Sequence, residues 1–366
     1  MSPSPPSQKL TSWGSVIYTL EGSIHDFFRA RGGSVTRSEC DAKAAALADG
    51  EPVNPVSIQG SLSYTVVAGP PQTHIVQFRA AQSKLHLTTL ELAAAVHPKF
   101  FPACTYQGQM GCDASALHVY IMDKREGLCY FKTRDTSAEG CLVRFFAEAW
   151  KQPQQVTPAV ASKMQQDIDN DLHRLAESLP ARCLATVLQI RDALPSVFLH
   201  LPFVLTHGDI SESNILVDPD DGRITGIIDW AEVEVSPFGL ALWGLESILG
   251  YMNPEGWHYH ANAEELRAEF WRAFERDIGN GENIVALSDD VRHAIRVSRM
   301  VGLLLSHGFK YDDNMTRGNV TDDLRRVEAF FAMSEVVDTD GSLKWWGPEA
   351  PHGAVEAPQL RPPKEH

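Results

Sequence analysis

Two short stretches, Leu205-Thr-His-Gly-Asp-Ile-Ser-Glu-Ser-Asn-Ile-Leu-Val217 and Gly226-Ile-Ile-Asp-Trp230, constrain this chain more than any other part of its 366 residues. Asp209, Asn214 and Asp229 follow one another at steps of five and fifteen residues, and apolar runs flank Asp218-Pro-Asp-Asp-Gly222. Pro, Asp and Gly supply the dihedrals of a reverse turn. Ile215 to Val217 and Arg223 to Ile228 therefore read as a hairpin that carries Asn214 and Asp229 back beside each other. A carboxylate, an amide and a second carboxylate in that layout suit phosphoryl transfer. One Asp accepts or orients the proton of an attacking hydroxyl, while an amide oxygen and the other Asp hold a magnesium ion that bridges nucleotide phosphates. His-Gly-Asp alone is three common loop residues; the triplet, the Asn, the hairpin and the Ile-Ile-Asp-Trp ending, met in order, are what make the signal specific.

With these residues in view, H-G-D-I-S-E-S-N and I-I-D-W resemble the aminoglycoside phosphotransferase and choline kinase-like family. The resemblance implies an α+β, bilobal protein-kinase-like fold, with an antiparallel sheet in a small N-terminal lobe and a larger, mainly helical C-terminal lobe. It implies ATP and Mg2+ as cofactors and a small-molecule acceptor. By position, Asp209 matches the family's catalytic Asp, Asn214 and Asp229 its metal-binding pair, and His207 the His that props the loop. The expected organisation is a disordered segment 1–12, a nucleotide-binding lobe 13–122 with leading helices, a hinge 123–127, a catalytic and substrate lobe 128–337, and a flexible tail 338–366.

Along the chain, Trp13 to Arg31 and Thr36 to Leu47 read as helices, and Val53 to Ile58, Ser63 to Ala68 and His74 to Arg79 as strands. In a kinase-like lobe the first hairpin covers the phosphates and the third strand supplies a cation paired to a Glu on the next helix. Gly60, Ser61 and Ser63 occupy the hairpin position, where a plain turn fits the residue types equally well. The third strand lacks the expected Lys. Gln77 and Arg79 share one face of it by alternation, and Arg79 is favoured because its permanent charge and donor fork suit phosphate. Leu87 to Val96 is expected as a helix carrying Glu91, the partner of that cation; His118 to Met122 closes the small lobe, with Met122 leading into the hinge.

Beyond the hinge the period becomes helical. Met164, Ile168, Leu172, Leu175 and Leu179 form one stripe, and Leu184, Val187, Ile190, Leu194 and Val197 a second. Further helices are expected over Ala263 to Ile278, Val291 to Ser306 and Thr321 to Val336. Family members place another Asp shortly after the Asp-Trp; here the run is Ser-Pro-Phe-Gly-Leu-Ala-Leu-Trp243, so its structural role is unfilled or moved.

A net charge of −15 argues against nucleic acid or an anionic membrane as partner. Six cysteines without a C-x-x-C pair read as reduced thiols, and the sequence shows neither a secretory signal nor an 18-residue apolar run, so a cytoplasmic location is expected. The rival to a small-molecule kinase is a pseudokinase-type nucleotide-binding module without phosphotransfer, motivated by the missing Lys and opposed by the intact Asp209, Asn214 and Asp229. A metal-dependent hydrolase would need His ligands, and His258-Tyr-His260 is expected in a surface loop.

Overall fold

A computed structural model describes residues 18–30, 32, 35–112, 115–130, 139–253, 256–279, 285–311, 317–321 and 355–356. The expected disordered start, the helix after Thr321 and all but two residues of the tail lie outside them. The chain divides into two compact units, residues 1–90 with 102–125, and residues 91–101 with 126–366. The change from one to the other after Arg125 falls within the segment 123–127. Residues 91–101, which the sequence reading places with the small lobe, belong to the second unit.

In the first unit, α1 (Leu20–Arg29) and α2 (Arg37–Leu47) precede β1 (Val53–Pro55), β2 (Ser63–Ala68) and β3 (His74–Ala80). Thr36 starts α2 with a capping box: its hydroxyl accepts from the Glu39 amide and its amide donates to Glu39 Oε2. The sheet continues with β4 (Cys104–Met110) and β5 (Leu117–Asp123) in the order β1-β2-β3-β5-β4, antiparallel throughout. β4 is absent from the sequence expectation, because Cys-Thr-Tyr-Gln-Gly-Gln-Met has few apolar residues to alternate. The first expected strand ends at Pro55 rather than Ile58, and α1 begins at Leu20. Ile24, Phe27, Cys40 and Ala44 of the two helices pack with Tyr64, Val66, Val76, Phe78 and Val119 of the sheet in one buried core.

The second unit opens with α3 (Leu87–Val96), whose last turns lie in it, then β6 (Leu128–Cys129) and α4 (Glu139–Lys151), a helix the sequence reading did not foresee. Next come α5 (Pro158–Ser178) and α6 (Ala181–His200), which pack on each other along the two expected stripes. Ile168, Leu172, Leu175, Val187, Ile190, Leu194 and Val197 are buried, whereas Leu184 is exposed and forms no part of the core. β7 (Phe203–Thr206), β8 (Ile215–Val217), β9 (Ile224–Ile227) and β10 (Glu234–Pro237) follow, then α7 (Trp243–Ile248) and a hairpin of β11 (Gly250–Asn253) and β12 (Gly256–Tyr259). His258 thus lies in a strand, not in a loop. α8 (Ala263–Ile278) packs on α4 and α9 (Asp289–His307) on α6. The expected α+β class is what the chain shows: an antiparallel sheet in one unit and a mainly helical second unit. Among the described residues no helix is long and apolar enough to cross a membrane.

One buried charge cluster ties the second unit together. Glu246 on α7 is fully buried, and it accepts from Arg267 of α8 (Nη2 to Oε2, 2.8 Å), Arg299 of α9 (Nη1 to Oε1, 2.6 Å) and the Tyr259 hydroxyl (2.7 Å). Burial alone would raise the Glu246 carboxyl, but the two guanidiniums outweigh it and bring it down to about 2. The folded value lies below the ordinary 4.5, so the stabilisation is present above that pH and is lost as pH falls from 4.5 towards 2. Removing the charge leaves two buried guanidiniums short of a counterion, a change that costs roughly 3–5 kcal/mol in comparable sites. Glu246→Gln is expected to lower Tm at neutral pH and to flatten the acid limb of stability in that window; calorimetry at stepped pH measures both effects.

Candidate active site

The site grows out of β7, whose four residues Phe203, Val204, Leu205 and Thr206 are all buried. At its end the chain must turn tightly, and Gly208 takes φ +80, with a Cβ there placed 2.2 Å from the Glu232 carbonyl oxygen. His207 is fully buried and its Nε2 donates to the Ile228 carbonyl at 2.9 Å, tying the first half of the motif to the second. Burial carries the imidazole down to about 4, so it is neutral near pH 7. Its ring meets Trp230 edge-on at 4.6 Å, and Trp230 fixes itself through Nε1 to the Ile227 carbonyl at 2.8 Å. Around Trp230 stand His97, Phe101 and Phe145, all of the same unit.

Asp209 and Asn214 close a short loop on themselves. Asn214 Nδ2 donates to the Asp209 carbonyl at 2.9 Å and to Asp209 Oδ2 at 2.8 Å. The five-residue step therefore has a local purpose: the amide orients the carboxylate and directs its own oxygen away from it. Burial raises the Asp209 carboxyl, the Asp229 charge raises it further, and the Asn214 amide opposes both.

The turn Asp218 to Gly222 forms as its composition requires, with the Asp218 carboxylate accepting from the Asp220 amide at 2.9 Å and Gly222 at φ +71. It pairs Ile215 with Ile227 and Leu216 with Gly226, and the Ile228 amide donates to the Asn214 carbonyl at 2.9 Å. Asn214 is thereby held opposite the residue that precedes Asp229. Asp229 itself is left-handed, φ 60 and ψ 61, a conformation uncommon for a residue with a side chain. Such strain persists where the surroundings over-determine it, and it gathers at functional sites. The Asn214 amide oxygen and the Asp229 carboxylate are hard oxygen donors, the kind magnesium takes alongside phosphate oxygens and water. The residues present thus fit the metal.

The remaining candidates lie mostly in the first unit. Gln77 and Arg79 do share a face of β3: Arg79 Nη1 donates to Gln77 Oε1 at 2.9 Å and Nε to the Ser83 carbonyl at 2.8 Å. Gln77 reaches back to Thr65 and Ser63 on β2. Between β1 and β2, Gly60 and Ser61 are exposed and Ser63 is buried, while the buried Gln59 side chain bonds the Val56 and Thr65 carbonyls and holds the turn. Met122 stands across from Ile75 and Cys104. Glu91 is exposed on α3, in the second unit.

Residues 138–281 match the model of APH, the phosphotransferase enzyme family. This segment is phosphotransferase-like in sequence. The match includes both H-G-D-I-S-E-S-N and I-I-D-W, the residues that carry the resemblance. No curated protein sequence matches the chain. Among solved structures, the GDP complex of aminoglycoside 2'-phosphotransferase-IIIa is 15% identical over 70% of this chain and 85% of that one, at a TM-score of 0.46. The streptomycin-ATP-APH(2")-IIa ternary complex is 14% identical over 82% and 97%, at 0.48, and macrolide 2'-phosphotransferase type I is 15% identical over 75% and 92%, at 0.46. Likeness at this distance transfers no residue role to this chain.

Sequence reasoning passed over Glu246, Arg267 and Arg299. A Glu inside the apolar run Trp-Gly-Leu-Glu-Ser-Ile-Leu was the available signal. The missing Asp after Asp-Trp has no acid in its place, and Glu246 is the buried acid that follows. Its helix also supports the site, since Gly244 leaves only 2.1 Å between a would-be Cβ and the Ile210 carbonyl oxygen, next to Asp209. Gly208→Ala meets both a left-handed φ and the Glu232 backbone. It is expected to destabilise the protein by at least about 1–3 kcal/mol, measured as a lower urea midpoint with an unchanged slope.

Proposed function

We propose that the protein is an ATP-dependent phosphotransferase that moves the γ-phosphate to a hydroxyl of a small-molecule metabolite. The observation that carries this reading is the joint placement of Asp209, Asn214 and Asp229, through the Asn214 amide on the Asp209 carboxylate and the Asn214 carbonyl on the Ile228 amide. The family match over residues 138–281, which spans all three, supports it.

In this reading Asp209 Oδ1 or Oδ2 takes or orients the acceptor's hydroxyl proton. Its raised affinity for a proton, caused by burial and by Asp229, favours that exchange. Asn214 keeps the carboxylate in one rotamer and His207 keeps the loop in register with Asp229. Asn214 and Asp229 would hold Mg2+, which supplies charge neutralisation at the nucleotide phosphates when bound. In the first unit, Arg79 and Gln77 act as one bonded pair towards phosphate, with Gly60, Ser61 and Ser63 in the preceding turn. Positioning and electrostatics are the main contributions to this chemistry.

Asp209→Asn keeps the shape and an acceptor oxygen. It is expected to leave nucleotide affinity near wild type while turnover, read first as slow ATP hydrolysis, falls by about 10²–10⁴. Asp229→Ala should abolish the magnesium dependence of nucleotide binding in calorimetric titration. Unchanged hydrolysis in Asp209→Asn, with magnesium-dependent binding intact, would favour a nucleotide-binding module instead. Arg79→Ala is expected to raise KM for ATP and reduce kcat; should Arg79→Ala be silent and Gln77→Lys tighten ATP binding, Gln77 rather than Arg79 holds the phosphate position.

A further inference from the structure

The second unit contains a cavity of about 540 Å³ with Gly208, the residue before Asp209, in its wall. That size suits a drug-sized molecule. The composition of the wall decides what kind. α5 contributes Val160, Met164 and Ile168 at helical spacing, the stretch between β10 and α7 contributes Leu240 and Ala241, α7 contributes Trp243, and α9 contributes Leu305. Trp243 is held by an edge-on contact with His307 at 5.6 Å, so this face is a preformed aromatic and aliphatic surface.

The polar groups of the wall are mostly engaged with one another. Thr206 Oγ1 bonds Ser236 Oγ at 3.1 Å and the Glu234 carbonyl at 3.3 Å, and Thr206 and Ser236 are both buried. Asp167 is paired with Lys163 one turn away on α5. Among the described lining residues the charges are thus Lys163, Asp167 and Glu234, which sum to a single negative charge. A ligand carrying several ammonium groups would lose its hydration against apolar walls and meet, besides Asp209 next to Gly208, only that one net charge, an unfavourable exchange. A ligand with an apolar body would gain from burying that body, and a single amine would still be balanced by the wall.

We infer that the acceptor bound in this cavity is a hydroxylated molecule with an apolar body, neutral or singly cationic, rather than a polycationic aminosugar. This rests on the phosphotransfer reading for the word acceptor, but the cavity's preference stands on its own walls. Binding and transfer are therefore measured separately. Calorimetric titration of the full chain without nucleotide would use sclareol, a neutral diterpene diol, propranolol, a singly cationic aryl amino alcohol, and the polycations kanamycin A and tobramycin. Expected is a Kd for sclareol or propranolol at least tenfold below that of either aminoglycoside. Ala159→Trp at the exposed start of α5, which fills the cavity mouth without adding charge, should weaken the better of the two at least tenfold, with Tm checked so that a folding defect is not mistaken for a lost site; if that variant does not fold, Met164→Gln on the half-buried apolar wall replaces it as the blocking change. Tighter binding of an aminoglycoside, no binding of either apolar probe, or full affinity in a folded blocking variant overturns the inference. If the apolar probe binds as expected and mass spectrometry with magnesium-ATP shows no phosphate added to any of the four, the cavity assignment stands and the phosphotransfer reading is the one that fails.

Discussion

The hydrogen bond from the Ile228 amide to the Asn214 carbonyl is the interaction on which the candidate site depends. It extends the β8–β9 pairing by one step past its regular register and brings the two halves of the motif together. On one side Asn214 turns its amide to the Asp209 carboxylate; on the other Asp229 is forced into a left-handed conformation. Without that pairing nothing would hold Asp229 to the loop that carries Asp209 and Asn214. His207 reinforces it by donating to the carbonyl of the same Ile228, so the backbone N–H and C=O of one residue anchor both halves of the arrangement.

Behind this pairing the second unit is organised by charge as well as by apolar packing. Glu246, Arg267 and Arg299 join α7, α8 and α9 in a place where water does not compensate them. A cluster of this kind adds little net stability over a well-packed apolar alternative, yet it tolerates few alternative arrangements. Its consequence is positional. With α7 fixed, Gly244 lies against Ile210 and Trp243 enters the cavity wall, so the cluster connects the loop of Asp209 with the surface offered to a ligand.

The two candidate phosphate contacts on β3, Gln77 and Arg79, stand where the expected Lys is missing. Alternation placed Gln77 and Arg79 on one face, and their side chains are bonded to each other rather than standing as rivals. The Arg79 fork is buried and held by the Gln77 amide oxygen and by the Ser83 carbonyl, so it is pre-ordered.

Much of this was legible in the sequence, and for a physical reason: the information is local. The turn chemistry of Asp218 to Gly222, the alternation in β3 and the apolar stripes of α5 and α6 are all set by residues within a few positions of one another. The hairpin that brings Asn214 to Asp229 is of the same kind, which is why the candidate site is visible in the residues alone. β4 was missed because its residues lack alternation and it is a strand only through pairing with β5. Glu246 meets Arg267 and Arg299 across 21 and 53 residues, and the cavity draws its walls from α5, α9 and the segment before α7. Neither has a sequence period. The sequence by itself determined the hairpin that returns Asn214 beside the end of its partner strand; the tertiary structure alone decided which distant side chains neutralise one another and which residues wall the cavity next to Gly208, because burial and charge pairing depend on neighbours that the chain brings together only by folding.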